Sequence, residues 1–190
     1  MEKHLKCKSE EWKALPRNNA YEINCADQFY DKYILPLVTE KFLAQYNDET
    51  EHNLMYVTVG TSWQPIALSI MLHKPKHVVF LCTDNVRAEV DKALAYLENA
   101  VMEYEIHIVD KGDSKKLLEI VNETFVNHGQ PKQCCFDITG GTKAMAAAAA
   151  MMAAYLESRI FYIESNYLPV YRHPEPGSEK LVEIYRPQDV

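Results

Sequence analysis

Apolar and polar positions follow two different rhythms along this chain. Over residues 1–50 no β-branched run suggests a strand. Between Asp27 and Tyr46, however, Phe29, Tyr33, Leu37, Phe42 and Tyr46 recur at roughly helical intervals, and Pro36 is placed to kink or split the segment. This predicts a helical appendage. From Leu54 onward strand-like and helix-like patterns alternate: Leu54–Gly60 then Pro65–His73, His77–Cys82 then Val86–Asn99, Tyr104–Val109 then Ser114–His128, Gln133–Ile138 then Thr142–Glu157, and finally Ile160–Ile163. Such alternation predicts an α/β fold, a mostly parallel sheet with helices on both faces. Past Glu164 the chain becomes proline-rich (Pro169, Pro174, Pro176), turns at Pro176-Gly177 and recovers an alternating strand at Lys180–Tyr185, so a C-terminal β-hairpin on the sheet edge is expected. The expected division is a helical N-terminal appendage over 1–50 and a sheet domain over 51–190.

Composition narrows the function classes. With 190 residues, 47% of them apolar, the chain can bury a core of its own. Its net charge of −7 argues against a broad basic surface for long nucleic acids, which bind through many phosphate contacts. A small anion held in one local pocket remains compatible with that charge. The five cysteines are odd in number and lack C-x-x-C spacing, so neither a disulfide framework nor a zinc site is signalled. Reduced thiols in a cytoplasmic protein are the expectation, with no metal and no cofactor. The N-terminus has no apolar signal region, and the longest apolar run, Ala144 to Leu156, is too short to span a bilayer, so no membrane partner is expected.

Candidate chemistry concentrates in Asp137-Ile138-Thr139-Gly140-Gly141-Thr142-Lys143-Ala144-Met145, where a strand runs into two glycines, two hydroxyls and a lysine as a helix begins. The first N–H groups of a helix have no internal acceptor, and with the positive dipole end they favour an anion. The turn is not a P-loop: it is too short to wrap a triphosphate, and an alanine stands where a hydroxyl for magnesium would follow the lysine. A plain strand-to-helix turn capped by Thr142 is the competing reading. Ligands of open α/β sheets bind beyond the carboxyl ends of the strands, which adds two loops. Gly60-Thr61-Ser62 supplies two hydroxyls without G-x-G-x-x-G, and Thr83-Asp84-Asn85 supplies a helix cap or a base-edge partner. The helix after Lys143 is apolar on every face. It belongs either in the middle of the fold or at a two-fold interface.

Together Gly60-Thr61-Ser62 after the first strand and Asp137 to Met145 after the fourth resemble the CRISPR-associated Rossmann fold (CARF) sensor domains, over about Leu54 to Tyr185. The resemblance implies a Rossmann-like sheet and a homodimer that binds a cyclic oligoadenylate, of four or six adenylates, across its two-fold axis. This ligand is the messenger of type III CRISPR antiviral signalling, and the sensor controls an effector, fused or separate. Carried over by position, Thr61 and Ser62 contact the ligand, Thr139, Gly140, Gly141, Thr142 and Lys143 hold its phosphates, and Met145 lies close beneath. Trp63 and Tyr167 are placed to stack on adenine, or are ordinary aromatics.

Two further readings stay open. A ring nuclease of the same fold would cleave the messenger without metal, using Lys143, Thr142 and glycine N–H groups to stabilise the phosphorane-like transition state. A sugar-phosphate or mononucleotide enzyme on the same sheet is the other, because fold alone does not fix function. His73, His77, His107 and His128 sit in or beside regular elements, where a structural role is expected, leaving His173 as the histidine to watch.

Overall fold

The computed structural model describes residues 2–47, 50–98 and 102–187. Three helices open the chain: α1 (Glu2–Lys13), α2 (Ala20–Phe29) and α3 (Leu35–Gln45), the last two joined by a π-helical turn over Tyr30–Ile34. Pro36 lies in the first turn of α3, where its missing N–H would have had no acceptor, and the widened turn before it absorbs the break. The helix expected between Asp27 and Tyr46 is thus split at its proline. Helix α1, which the sequence pattern did not announce, buries only Leu5, Ser9 and Trp12, a thin stripe on an otherwise charged helix.

Strands and helices then alternate as β1 (Leu54–Thr58), α4 (Gln64–His73), β2 (His77–Cys82), a 3-10 turn (Asp84–Val86), α5 (Arg87–Tyr96), β3 (Glu103–Ile108), α6 (Ser114–Asn127), β4 (Cys134–Asp137), α7 (Lys143–Tyr155) and β5 (Arg159–Glu164). The chain ends in β6 (Tyr167–Leu168), β7 (His173–Pro174) and β8 (Lys180–Tyr185). The expected end of the fifth helix, Asn99, lies outside the described residues.

The chain forms two compact units, Asp48–Ile163 with Leu181–Val190, and Met1–Asn47 with Glu164–Lys180. In the first, a six-stranded sheet runs in the order β3-β2-β1-β4-β5-β8, and every pairing from β3 to β5 is parallel. Strands β1 and β4 are buried along their whole length, as parallel strands covered on both faces must be. On one face α6 and α7 close a core of Leu54, Tyr56, Val79, Leu81, Phe136 and Ile160 with Leu117, Val121, Ala149 and Ala153. On the other, α4 is buried nearly all round, and its His73 ring stacks on Phe161 at 4.1 Å. The Tyr56 hydroxyl, inside the first core, donates to the Val121 carbonyl at 3.0 Å, so its polar end is not orphaned.

The second unit is organised by aromatic rings. Trp12 packs against Tyr30, Tyr171 and His173 at centroid distances of 5.5, 5.1 and 5.4 Å, and the Arg17 guanidinium lies 4.8 Å from the Trp12 ring. Strands β6 and β7 pair antiparallel here and form the small hairpin. His173 thereby becomes a packing residue: its ring lies 3.8 Å from that of Tyr30, and burial pushes its pKa down. At Gly177 the backbone adopts φ of +80°, and its carbonyl accepts from the Lys41 ammonium at 2.7 Å.

Two residues on, burial raises the Glu179 carboxyl from 4.5 to about 7, against the pull of nearby backbone N–H groups and Lys41. The folded state therefore keeps a proton that the unfolded chain releases, and stability falls as pH rises from about 4.5 to about 7. Glu179→Gln removes this cost. Thermal melts should show the variant more stable at pH 8, by about 3 kcal/mol, and nearly unchanged at pH 4; coincident melts at both values would contradict the burial.

Candidate functional site

Strand β1 lies between β2 and β4, so the crossovers leave it in opposite directions. The sheet's topological switch point is therefore at the carboxyl ends of β1 and β4, where diverging loops open a crevice. The loops that emerge there are Gly60-Thr61-Ser62 and Thr139-Gly140-Gly141-Thr142.

Backbone contact holds the two loops together. A Cβ placed on Gly140 would lie 2.5 Å from the Thr58 carbonyl oxygen and would overlap the Gly60 nitrogen. One placed on Gly60 would lie 3.1 Å from the Gly141 nitrogen. The first approach admits only glycine at 140, the second leaves a side chain at 60 tightly crowded, and Gly141 further needs its φ of +80°, which favours a residue without a side chain. The Thr58 hydroxyl donates to the Gly140 carbonyl at 2.8 Å, tying the end of β1 to the turn after β4. On the β4 side the Asp137 carboxylate accepts from the Thr139 N–H at 2.7 Å, and the Thr139 hydroxyl accepts from the Ile163 N–H at 2.8 Å.

Asp137 is fully buried, and burial raises its pKa, partly offset by the Ser69 and Thr139 groups that face it. Thr58 was not singled out from sequence, and Asp137 was named only as the first residue of the motif, with no role given to it. An aspartate three residues before the glycine pair was the available signal, since such a side chain readily bonds backbone N–H groups just ahead of it.

Helix α7 begins immediately after this turn. Thr142 is its N-cap, with the hydroxyl accepting from the Met145 N–H at 3.2 Å. This is the capping role of the plain-turn reading, and it coexists with an exposed face. The N–H groups of Lys143 and Ala144 have no intrahelical acceptor, and Lys143 is exposed without a carboxylate partner among the described residues. Met145 is buried beneath the turn. Thr61 and Ser62 are exposed, whereas Trp63 is buried and packs on Tyr96 at 5.4 Å, closing it to a stacking ligand. Thr83, Asp84 and Asn85 stand at the end of β2, one strand away from the switch point. There the Thr83 hydroxyl donates to the Asn85 side chain at 2.6 Å, while Asp84 and Asn85 stay exposed.

The apolar helix α7 is buried on one side only. Met145, Ala148, Ala149 and Ala153 face the sheet, while Ala144, Ala147, Ala154, Met151 and Tyr155 form an exposed stripe, the last two 68% and 77% accessible. The helix that is buried nearly all round is α4.

Residues 65–180 match a family model described as the Card1 CARF domain. Among solved structures, Can2 from Sulfobacillus thermosulfidooxidans, determined in complex with cyclic tetra-adenylate, is 18% identical, with a TM-score of 0.54 over 73% of this chain and 37% of its own. VC1899 from Vibrio cholerae is 12% identical, with a TM-score of 0.51 over 70% of this chain and 33% of its own. The chain thus spans roughly a third of the length of either structure. At such identities the likeness is one of fold. No curated protein matches, and no helix among the described residues is long and apolar enough to cross a membrane.

The glycine contact generates a stability prediction. Gly140→Ala should lower the unfolding free energy by about 2 kcal/mol or more, because backbone on both sides must shift to admit one methyl group. Urea denaturation measures this, and an unchanged midpoint would contradict the close approach.

Proposed function

Because the chain belongs to the Card1 CARF domain family, matched over residues 65–180, we propose that it is a sensor of type III CRISPR antiviral signalling that binds a cyclic oligoadenylate. The observation that carries this reading is the glycine turn at the switch point, which leads directly into the N-terminus of α7 and an exposed Lys143. A ring of phosphodiesters needs closely approaching N–H donors and a focused positive charge, and Gly140, Gly141, Thr142 and Lys143 supply them. Thr139 braces the turn, and Gly60 keeps the first loop against it. Thr61 and Ser62 offer hydroxyls to the ring, Asp84 and Asn85 offer polar groups to an adenine edge with Thr83 fixing their turn, and Met145 forms the floor.

The proposed assembly is a homodimer. An even-membered ring is two-fold symmetric, so two copies of one anion turn related by a two-fold axis match it. The exposed stripe of α7 from Ala144 to Tyr155 starts one residue after Lys143, which places an apolar association surface beside the anion turn. Burying Met151 and Tyr155 against a second copy removes from water the largest apolar side chains of that helix. Control of an effector, fused or separate, belongs to the same proposal. The net charge of −7 does not oppose ring binding, because distant carboxylates are screened over about 10 Å at ordinary salt.

Two measurements test the reading. In calorimetric titrations with cyclic tetra- and hexa-adenylate, Lys143→Ala should weaken binding at least about tenfold through loss of a charge-assisted phosphate contact. Equal affinity would place the lysine outside the site, and a product-resolving chromatogram of the same mixture would reveal a ring nuclease if the ring opens. Met151→Glu should shift the molar mass in light scattering from dimer to monomer; a dimer that survives the added charge must associate through another surface.

A further inference from the structure

At the opposite end of the sheet, away from the glycine turn, three side chains from separate elements converge. His77 is the first residue of β2, Glu105 lies in edge strand β3, and His128 caps the end of α6. The register pairs Val79 with Glu105 and His77 with Glu103, so His77 and Glu105 project from the same face of the sheet, toward the end of α6. One carboxylate oxygen, Oε1, lies 3.2 Å from His77 Nε2 and 2.9 Å from His128 Nε2. The imidazole rings of His77 and His128 are 4.0 Å apart, and one donor atom from each of the three residues lies within 4.8 Å of the others. The second carboxylate oxygen, Oε2, is held by His107 Nε2 at 2.8 Å.

We propose that His77, Glu105 and His128 bind a divalent cation of the zinc class, with His107 as the positioning residue that orients the carboxylate. Two imidazoles and one carboxylate are a donor set suited to such an ion, with the fourth position left for water. Ligand atoms about 2.0–2.1 Å from a tetrahedral ion stand about 3.3 Å from one another, and the two distances from Glu105 Oε1 already lie close to that edge. A network of hydrogen bonds alone accounts less well for His77. Both of its ring nitrogens are buried and neither makes a hydrogen bond, although Nε2 approaches the carboxylate and Nδ1 lies 3.6 Å from the exposed Glu103. The two rings stand 4.0 Å apart, and a shared cation uses a ring-nitrogen lone pair from each. The carbonyl end of α6 adds a negative dipole beside His128, which also favours a cation. The hydrogen bond from His107 fixes the carboxylate from behind, as groups next to metal ligands generally do. An ion here would fasten edge strand β3 to β2 and to α6.

The test uses the full chain without an affinity tag, stripped with chelator and titrated with zinc in a calorimeter and with cobalt in an absorption spectrometer. One ion per chain is expected, with a cobalt spectrum of nitrogen and oxygen ligands and no thiolate charge-transfer band. Binding should be lost in His77→Ala and in His128→Gln and weakened about tenfold in His107→Ala, with circular dichroism verifying that each variant is folded. Absence of stoichiometric binding, unchanged affinity in both His77→Ala and His128→Gln, or a thiolate band arising from exposed Cys7 or Cys25 would overturn the assignment.

Discussion

The site depends on a contact between two backbones. Parallel strands β1 and β4 lie side by side, and the turns that leave them touch at Gly60, Gly140 and Gly141 with no side chain between. Hydrogen bonds on either side, from Thr58 to the Gly140 carbonyl and from the Thr139 N–H to Asp137, fix the path of the turn before α7 begins. Because these partners are strand residues in a buried sheet, the free N–H groups at the head of α7 are presented by a rigid scaffold. Preorganisation of this kind lowers the ordering cost of holding an anion.

The turn and the helix after it share a second constraint. Alanine lets α7 approach the sheet closely through Ala148, Ala149 and Ala153, and the same composition leaves the opposite side apolar and open. A single helix therefore presents its positive end to a ligand and its length to a neighbouring surface. Under the proposed dimer these two uses are coupled, since ligand binding and association would stabilise the same element.

Much of the fold was legible because strand and helix periodicities differ. The bounds of β2 and β8 coincide with the sequence pattern, as both strands end at clear turn chemistry. Strand β1 stops at Thr58, two residues short of the pattern, because the chain must bend toward Gly140 after Val59. Helix α1 escaped notice because one face of only Leu5, Ser9 and Trp12 is hard to distinguish among lysines and glutamates. The glycine turn was legible as a motif, but the roles of Thr58 and Asp137 were not, since both bond to backbone groups that only the folded path brings near. Loop position left Trp63 either a stacking residue or an ordinary aromatic, and tertiary packing on Tyr96, which buries it, decides for the second. His77, Glu105 and His128 are far apart in sequence, and only the register of β2 against β3 brings them together.

The aromatic cluster that includes Trp12 spans almost the whole polypeptide, since Tyr171 and His173 sit near its other end. During synthesis from the N-terminus, α1 emerges long before these rings exist, and every strand from β1 to β5 is made in between. Trp12 can meet Tyr30 once α1 and the π-helical turn have been made, but its contacts with Tyr171 and His173 are non-local and can close only after β1 to β5 have been synthesised.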